Sequence, residues 1–309
     1  MRMPIQLPWE ETKLGYSKND RDKLWFGTEG RMKWFRTPNA GADTSPQGWS
    51  SGGVTINGDG YEFSSFGSHK VYQYSWKGSS SRRVAQEMKS YADGTYGREL
   101  LYFVDPTIYD LNVFPAKWAD PSMSIGYEGN SLVAGVSPTS VPTVQNSNDL
   151  PVSSAEYNLT SVAAGFRGKM EAVYLPLPEG CTLLLGAIYS STGTGGVYYS
   201  PVLNTGAIAG PQKLTPLSSS SAEVANTEVS DVRGVWLWVG KLTPGISSVT
   251  LTALTARIAK PSAATAPLRE GPWIGGMGHS GCRFSGKPTF VENGPDWTGF
   301  SATFKEVVN

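Results

Sequence analysis

Residues 91–121 read YADGTYGRELLYFVDPTIYDLNVFPAKWADP, and the organisation of the whole chain follows from how this stretch is understood. Pro106, Pro115 and Pro121 each interrupt a regular helix, because proline has no N–H to donate and restricts the residue before it. The same prolines exclude an uninterrupted central strand. What remains is a fixed, irregular segment anchored by its aromatic residues. It carries no His, Cys or phosphate-binding loop, so its expected role is shape and assembly rather than turnover.

Working outward, the residues just before this stretch predict a helix. Ser80 or Ser81 can act as N-cap, Val84, Met88 and Tyr91 form one apolar stripe, and Gly94 stands where a left-handed C-cap belongs. Leu100 to Val104 reads as a short buried strand ending at Asp105-Pro106. Further towards the N-terminus the pattern is one of hairpins. Residues 23–26 and 32–35 flank the turn Gly27-Thr28-Glu29-Gly30. Residues 54–56 and 61–63 flank Asn57-Gly58-Asp59-Gly60, a sequence suited to φ > 0 turns. In Val71 to Trp76 the alternation puts Tyr72, Tyr74 and Trp76 on one face.

After Trp118 the composition shifts. Residues 129–162 are rich in Ser, Val, Pro, Asn and Thr with hardly a charge, and read as a linker or loose edge. Strand signals return at 169–175, 182–189, 197–203, 235–239 and 249–258, a spacing that predicts a β-sandwich. Residues 260–267 form a second linker. The strands expected after Gly271 are too few to fold alone. The simplest arrangement returns them to the first region. The predicted fold is therefore mainly β, with two sandwich- or barrel-like domains and one short helix. Residues 1–128 and 271–309 form one discontinuous domain, and 129–270 form a sandwich inserted into it.

Composition agrees with a turn-rich β protein: of 309 residues 36 are Gly and 21 Pro, and only 17% are charged, against a usual quarter or so. Lys+Arg and Asp+Glu are equal at 26 each, so no global field attracts nucleic acid or an anionic membrane. The N-terminal residues MRMPIQLPWEET lack the apolar core of a signal peptide. Apolar runs such as LLLGAIY and VWLWV fall short of the roughly 20 residues of a membrane span. A soluble protein made in the cytoplasm is expected.

Candidate chemistry is sparse. Asp105 with Asp110, and Glu171 with Glu179, are the carboxylate pairs considered for acid/base hydrolysis, but Asp before Pro ordinarily serves a turn. His69 and His279 are the two histidines, and Gly278-His279-Ser280-Gly281-Cys282 reads as a tight turn before it reads as a Cys–His site. Cys181 and Cys282 are expected as separate thiols, with one disulfide as the alternative; no metal site or cofactor is expected. Arg82, Arg83, Lys89 and Arg98 read as a solvated face or subunit contact. Trp236 and Trp238 project from one face of a strand near Tyr198 and Tyr199. They are the candidates for stacking on a sugar, beside the simpler expectation that they are covered.

The motif positions Tyr102, Asp105, Pro106, Asp110, Asn112, Pro115 and Trp118 resemble the "Y-x-x-D-P…D-x-N-x-x-P…W" run of minor tail proteins from long-tailed phages of actinobacteria. GHSGCRFSGKPTF, with His279, Gly281, Cys282, Arg283 and Phe284, resembles the closing signature of that family, and GFSATFKEVV its last strand. The likeness covers about residues 60–121 and 271–309, and the middle sandwich is only generically similar to carbohydrate-binding-module or galectin-like folds. The resemblance implies a virion structural protein, a distal-tail or baseplate hub without enzymatic activity. Its expected partners are identical copies in a ring, commonly a hexamer, the tail tube protein and other tail-tip proteins. Assembly would take place in the bacterial cytoplasm. Recognition of a host surface glycan through the sandwich is the alternative.

Overall fold

The computed structural model describes residues 23–29, 31–36, 43–54, 60–76, 82–104, 111–126, 132–133, 135–143, 151, 153–216, 223–225, 231–259, 276, 278–292 and 298–307, with backbone only at 23, 36, 43–54, 60–70, 82–83, 116–117, 123, 170, 223–225, 292 and 298. The first strands are β1 (Lys23–Thr28), β2 (Arg31–Arg36), β3 (Asp43–Val54), β4 (Gly60–Trp76) and β5 (Leu101–Val104). Next come β6 (Thr139–Pro142), β7 (Ser153–Asn158), β8 (Val173–Pro176), β9 (Thr182–Thr192), β10 (Gly195–Leu203) and β11 (Gln212–Lys213). The last are β12 (Glu223–Ala225), β13 (Val232–Lys241), β14 (Ser248–Ala259), β15 (Cys282–Phe284), β16 (Thr289–Glu292) and β17 (Thr298–Glu306). Among the described residues two helices, α1 (Arg82–Ala92) and the single turn α2 (Ala116–Ala119), accompany them. The fold is mainly β, as expected. Among the described residues no helix is long and apolar enough to cross a membrane.

The chain divides into two compact units, one of Met1–Phe35, Tyr102–Ser280 and Asn309, the other of Arg36–Leu101 and Gly281–Val308. These bounds differ from the expected 1–128 with 271–309 and 129–270. The physical reason is that the segment after Tyr102 is hydrogen-bonded to the sandwich, with Val113 N donating to Ala256 O at 2.8 Å.

In the second unit β17 lies between β15 and β4, and β4 pairs β3. The C-terminal strands thus find their host in the 60–76 segment. Register sets Phe304 opposite Tyr72, Ala302 opposite Tyr74 and Phe300 opposite Trp76. The three aromatics of β4 are all buried, as their alternation predicts, and Trp76 stacks on Phe300 at 4.4 Å. The β3–β4 hairpin closes at Val54 opposite Gly60, while the Asn57-Gly58 turn lies outside the described residues. Helix α1 buries Ala85, Met88 and Tyr91. It ends with Gly94 N on Tyr91 O at 3.2 Å and Thr95 N on Ser90 O at 2.9 Å, the paired bonds of a Schellman cap, with Gly94 at φ 75°. Ser80 and Ser81 lie outside the described residues.

In the first unit two antiparallel sheets make the sandwich, ordered β11-β10-β13-β8 and β12-β9-β14-β7-β6. The chain changes sheet at nearly every step from β7 to β14, so consecutive strands bury their faces against each other. The β1–β2 hairpin packs edge-to-face aromatic pairs, Trp25 with Trp34 at 4.8 Å and Phe26 with Phe35 at 5.2 Å. Two expectations change. Residues 169–171 form a 3-10 turn rather than the start of a strand, braced by the Arg167–Glu171 ion pair at 2.7 Å. The supposed linker 129–162 contains β6 and β7. Their pairing is held by ladder bonds and by a hydroxyl chain, Thr143 to Ser154 to Thr252 at 2.8 Å each, which hydrophobicity does not flag.

Phe304, 1% exposed between Tyr74 and Phe284, is the inward-facing residue of β17 that most tests this arrangement. Phe304→Ala is expected to destabilise the fold by about 3–5 kcal/mol, read as a lowered denaturant midpoint. An unchanged midpoint would remove β17 from the core.

Candidate functional site

The motif segment begins on β5, where Tyr102 is buried against the Tyr174 ring at 4.5 Å. Asp105, Pro106 and Asp110 lie outside the described residues. Beyond them the chain meets a problem of sheet chemistry. Strand β14 pairs β9 along its whole length, but it pairs β7 only over Ser248–Leu251, and its register shifts between Leu251 and Ala253. Past the shift its outer backbone groups need other partners, because buried peptide groups left unpaired are costly.

Asn112 supplies them. Its side-chain amide donates from Nδ2 to Leu254 O at 3.0 Å, and its Oδ1 accepts from Ala256 N at 3.0 Å. The same Oδ1 accepts from Phe114 N at 3.2 Å. The carboxamide thus imitates one residue of a neighbouring strand, and Val113 N adds a true backbone bond to Ala256 O. Asn112 is 1% exposed, so these bonds are made away from water.

The prolines then start turns as well as ending strands. Pro115 precedes α2, and its carbonyl accepts from Trp118 N at 2.9 Å and Ala119 N at 3.1 Å. Trp118 itself is half-buried. Pro121 opens a 3-10 turn capped by Asp120, whose Oδ1 accepts from Ser122 N at 3.0 Å. Ser124 in turn shares a hydrogen bond of 3.2 Å with Tyr157 of β7.

The closing signature meets this segment. Gly278 bridges Pro115 in parallel register, and its N–H donates to Phe114 O at 2.9 Å. A Cβ at 278 would stand 1.8 Å from Val113 O, so only glycine fits. His279 packs its ring on Phe103 at 4.4 Å and 34°. The remaining residues fall in the second unit, where Gly281 O accepts from Val307 N at 2.9 Å. There Cys282 is fully buried, Arg283 is exposed and Phe284 packs on Phe304 at 4.9 Å.

Strand β13 carries the two tryptophans on one face, with Val235, Leu237 and Val239 on the other, and both faces are buried. Trp236 donates from Nε1 to Glu29 Oε1 at 2.8 Å and packs on Tyr174 at 5.1 Å. The other oxygen of Glu29 takes the Lys169 ammonium. Trp238 stacks on Tyr198 at 4.7 Å, meets Phe166 at 5.9 Å and donates to Ser200 Oγ at 3.3 Å. At 3% and 2% exposure neither Trp236 nor Trp238 offers a ring face to a sugar, because neighbouring side chains already occupy both.

The other candidate groups are not brought together. Glu171 pairs with Arg167 at 2.7 Å and Glu179 with Arg233 at 3.9 Å, each with a cation of its own. His69 lies on β4, and its side chain is outside the described residues. Cys181 and Cys282 are both buried and form no disulfide. Burial first, and then the Glu306 carboxylate, push the Cys282 thiol well up, away from the thiolate a nucleophile requires. Among the described residues no group of three or more His, Cys, Asp or Glu side chains could hold a metal ion. Glu29 escaped sequence reasoning because a carboxylate in a Gly-bounded turn gives no sign of a distant indole. Asn112 stood in the motif, but its role was invisible until β14 was in place. Comparison with known protein families, curated proteins and solved structures finds no match to this chain.

Asn112→Ala strands Leu254 O and Ala256 N. A loss of about 2–6 kcal/mol is expected in denaturant unfolding, from roughly 1–3 for each buried group left unpaired. A loss below about 0.5 kcal/mol would mean that water replaces the carboxamide.

A pH dependence follows from the raised acids. The Tyr72 phenol is pushed up by burial and then by Glu306, to whose Oε1 it donates at 2.8 Å; burial also raises Tyr157 and Tyr198. Groups with folded pKa above the unfolded value contribute stability at low pH that is lost as pH rises past the unfolded pKa. Urea midpoints should therefore fall from about pH 8.5, where unfolded thiols ionise, and further from about pH 10, where unfolded phenols do. Cys282→Ala should flatten the first part only; midpoints constant from pH 7 to 10.5 would refute the assignment.

Proposed function

We propose that this chain is a structural subunit of a phage tail tip, a distal-tail or baseplate hub protein that works by assembly and performs no turnover. The observation that carries the reading is the bond between the two stretches that resemble the tail-protein family, Gly278 N to Phe114 O at 2.9 Å beside the Pro115–Gly278 bridge. Within and around that contact the shared residues close backbone rather than present reactive groups. Asn112 ties down the edge of β14, Pro115 begins α2, and Gly278 leaves room for Val113 O. Residues given to such tasks suit a scaffold that must hold one shape. In this reading identical copies form a ring through heterologous contacts whose rotation closes. The ring would join the tail tube to the tip proteins in the virion.

Glycan recognition through the sandwich is less well supported, since its two best candidates, Trp236 and Trp238, are enclosed. Size-exclusion chromatography with light scattering and electron microscopy of the purified chain should reveal a ring. Antibody labelling of particles should place the chain at the tail tip. A chain that stays monomeric at all concentrations and is absent from tail tips would overturn the proposal.

A further inference from the structure

The turn of the β1–β2 hairpin buries a carboxylate. The Glu29 side chain is only 7% exposed, with Oε1 accepting from Trp236 Nε1 at 2.8 Å and Oε2 taking the Lys169 ammonium. The same ammonium stands over the Trp236 ring, 5.9 Å from its centroid. A carboxylate beside the face of a tryptophan suits an ammonium ion, because the charge attracts it and the ring quadrupole adds to the attraction. Both walls of this site are held without the lysine. Trp236 packs on Tyr174 at 5.1 Å, and Tyr174 on Tyr102 at 4.5 Å. The Tyr174 ring lies against Gly234, where a Cβ would stand 2.4 Å from the phenol oxygen. At the hairpin turn a Cβ on Gly27 would stand 2.2 Å from Arg31 O, so glycine is required for the bend that presents Glu29.

The occupant is attached more loosely. Lys169 opens the 3-10 turn Lys169–Glu171, and its side chain is 51% exposed. The chain before it has neither helix nor strand from residue 159 to 168. Gly165 at φ 91° and Gly168 at φ 119° stand on either side of Phe166 and Arg167. A Cβ at either glycine would meet nothing within 4 Å, so conformation rather than space calls for glycine at both. The Arg167–Glu171 ion pair, at 2.7 Å, closes within the segment. Among the described residues, the hydrogen bonds, ion pairs and ring contacts that leave residues 166–171 for the rest of the unit are few. They are Phe166 on Trp238 at 5.9 Å, and Lys169 on Glu29 and Trp236.

We propose that Glu29 and Trp236 form a binding site for a primary alkylammonium group, supplied as a lysine side chain of another polypeptide, and that Lys169 fills it as an internal, displaceable stand-in. Turning the backbone at Gly168 withdraws Lys169 and leaves Glu29 Oε1 on Trp236. An incoming ammonium then replaces one counter-ion by another, so the buried carboxylate keeps a charge partner. A lysine side chain fits because the group held there is one, an alkyl stem that ends in an ammonium. An amino sugar shares the ammonium, but Trp236, 3% exposed, leaves its ring no stacking face. Anions are opposed by Glu29. Because Lys169 is tethered, it competes at high effective concentration, and a free ligand binds the wild-type chain weakly. The inference stands apart from the assembly reading, since it concerns one site within a single chain.

Calorimetric titration of the full chain with Nα-acetyl-lysine methylamide, at constant ionic strength, tests the site. Saturable binding is expected for the wild type, and binding at least about tenfold tighter for Lys169→Met, which keeps the stem and removes the competing charge. Glu29→Gln, which retains an acceptor for Trp236, should lose binding in both backgrounds. The same probe acetylated on Nε carries no charge and should not bind. Equal binding of the two probes overturns the proposal, as does absence of binding to wild type and Lys169→Met alike. Binding by Lys169→Met with none by the wild type also overturns it, and makes Lys169 a permanent counter-ion. Binding of glucosamine in place of the lysine probe overturns it in favour of an amino sugar. Where Lys169→Met fails to fold, as judged by circular dichroism, the wild-type titrations with charged and acetylated probes decide alone. None of these outcomes bears on ring formation, which chromatography and microscopy read separately.

Discussion

A strand inside a sheet must have both edges paired, and β14 obtains its second edge from a side chain. Its first residues lean on β7, its later residues on the carboxamide of Asn112 and the N–H of Val113. The rest of the first unit follows from that closure. The segment that carries Asn112 is held against the sandwich, so Pro115 can start α2 and Gly278 can bridge to it. A carboxamide suits the position because it carries a donor and an acceptor spaced as in a peptide group. A carboxylate lacks the donor, and an aliphatic side chain lacks both.

Several polar groups of the interior tie distant elements together. Glu29 accepts from Trp236 and Lys169, Lys241 donates to two loop carbonyls, and the hydroxyls of Thr143, Ser154 and Thr252 form a chain from just past the end of β6 to β7 and β14. Each joins elements distant in sequence, and each would be costly to leave unsatisfied. The same pattern accounts for the closed tryptophans of β13, whose indole N–H groups are occupied by Glu29 and Ser200.

Much of this was legible from residue order. Alternation in Tyr72, Tyr74 and Trp76 marked one strand, and the strands expected after Gly271 return to it, where β17 pairs β4. The Val84, Met88 and Tyr91 stripe with Gly94 marked a helix and its end. Turn residues and apolar runs marked β9, β10, β13 and β14 with small errors at their ends. Strands β6 and β7 were missed because Ser, Thr and Pro gave them the look of a linker; their stability comes from pairing and hydroxyl bonds that a one-dimensional pattern does not contain. At 169–171 the chain forms a turn and not the predicted strand, because periodicity cannot register an ion pair that favours a tight turn.

Local chemistry along the chain thus determined the mainly β character, the helix at Arg82–Ala92, the prolines that break the 91–121 segment and the scarcity of recognisable reactive motifs. These depend on the conformational limits of individual residues and on periods of two or four, which act over short distances. Only the tertiary structure decided that Asn112 serves β14, that Trp236 and Trp238 are enclosed and that Glu29 and Lys241 are brackets. Those roles depend on which distant backbone atoms come within hydrogen-bond reach. Such proximity is a property of the packed chain, and no residue carries it alone.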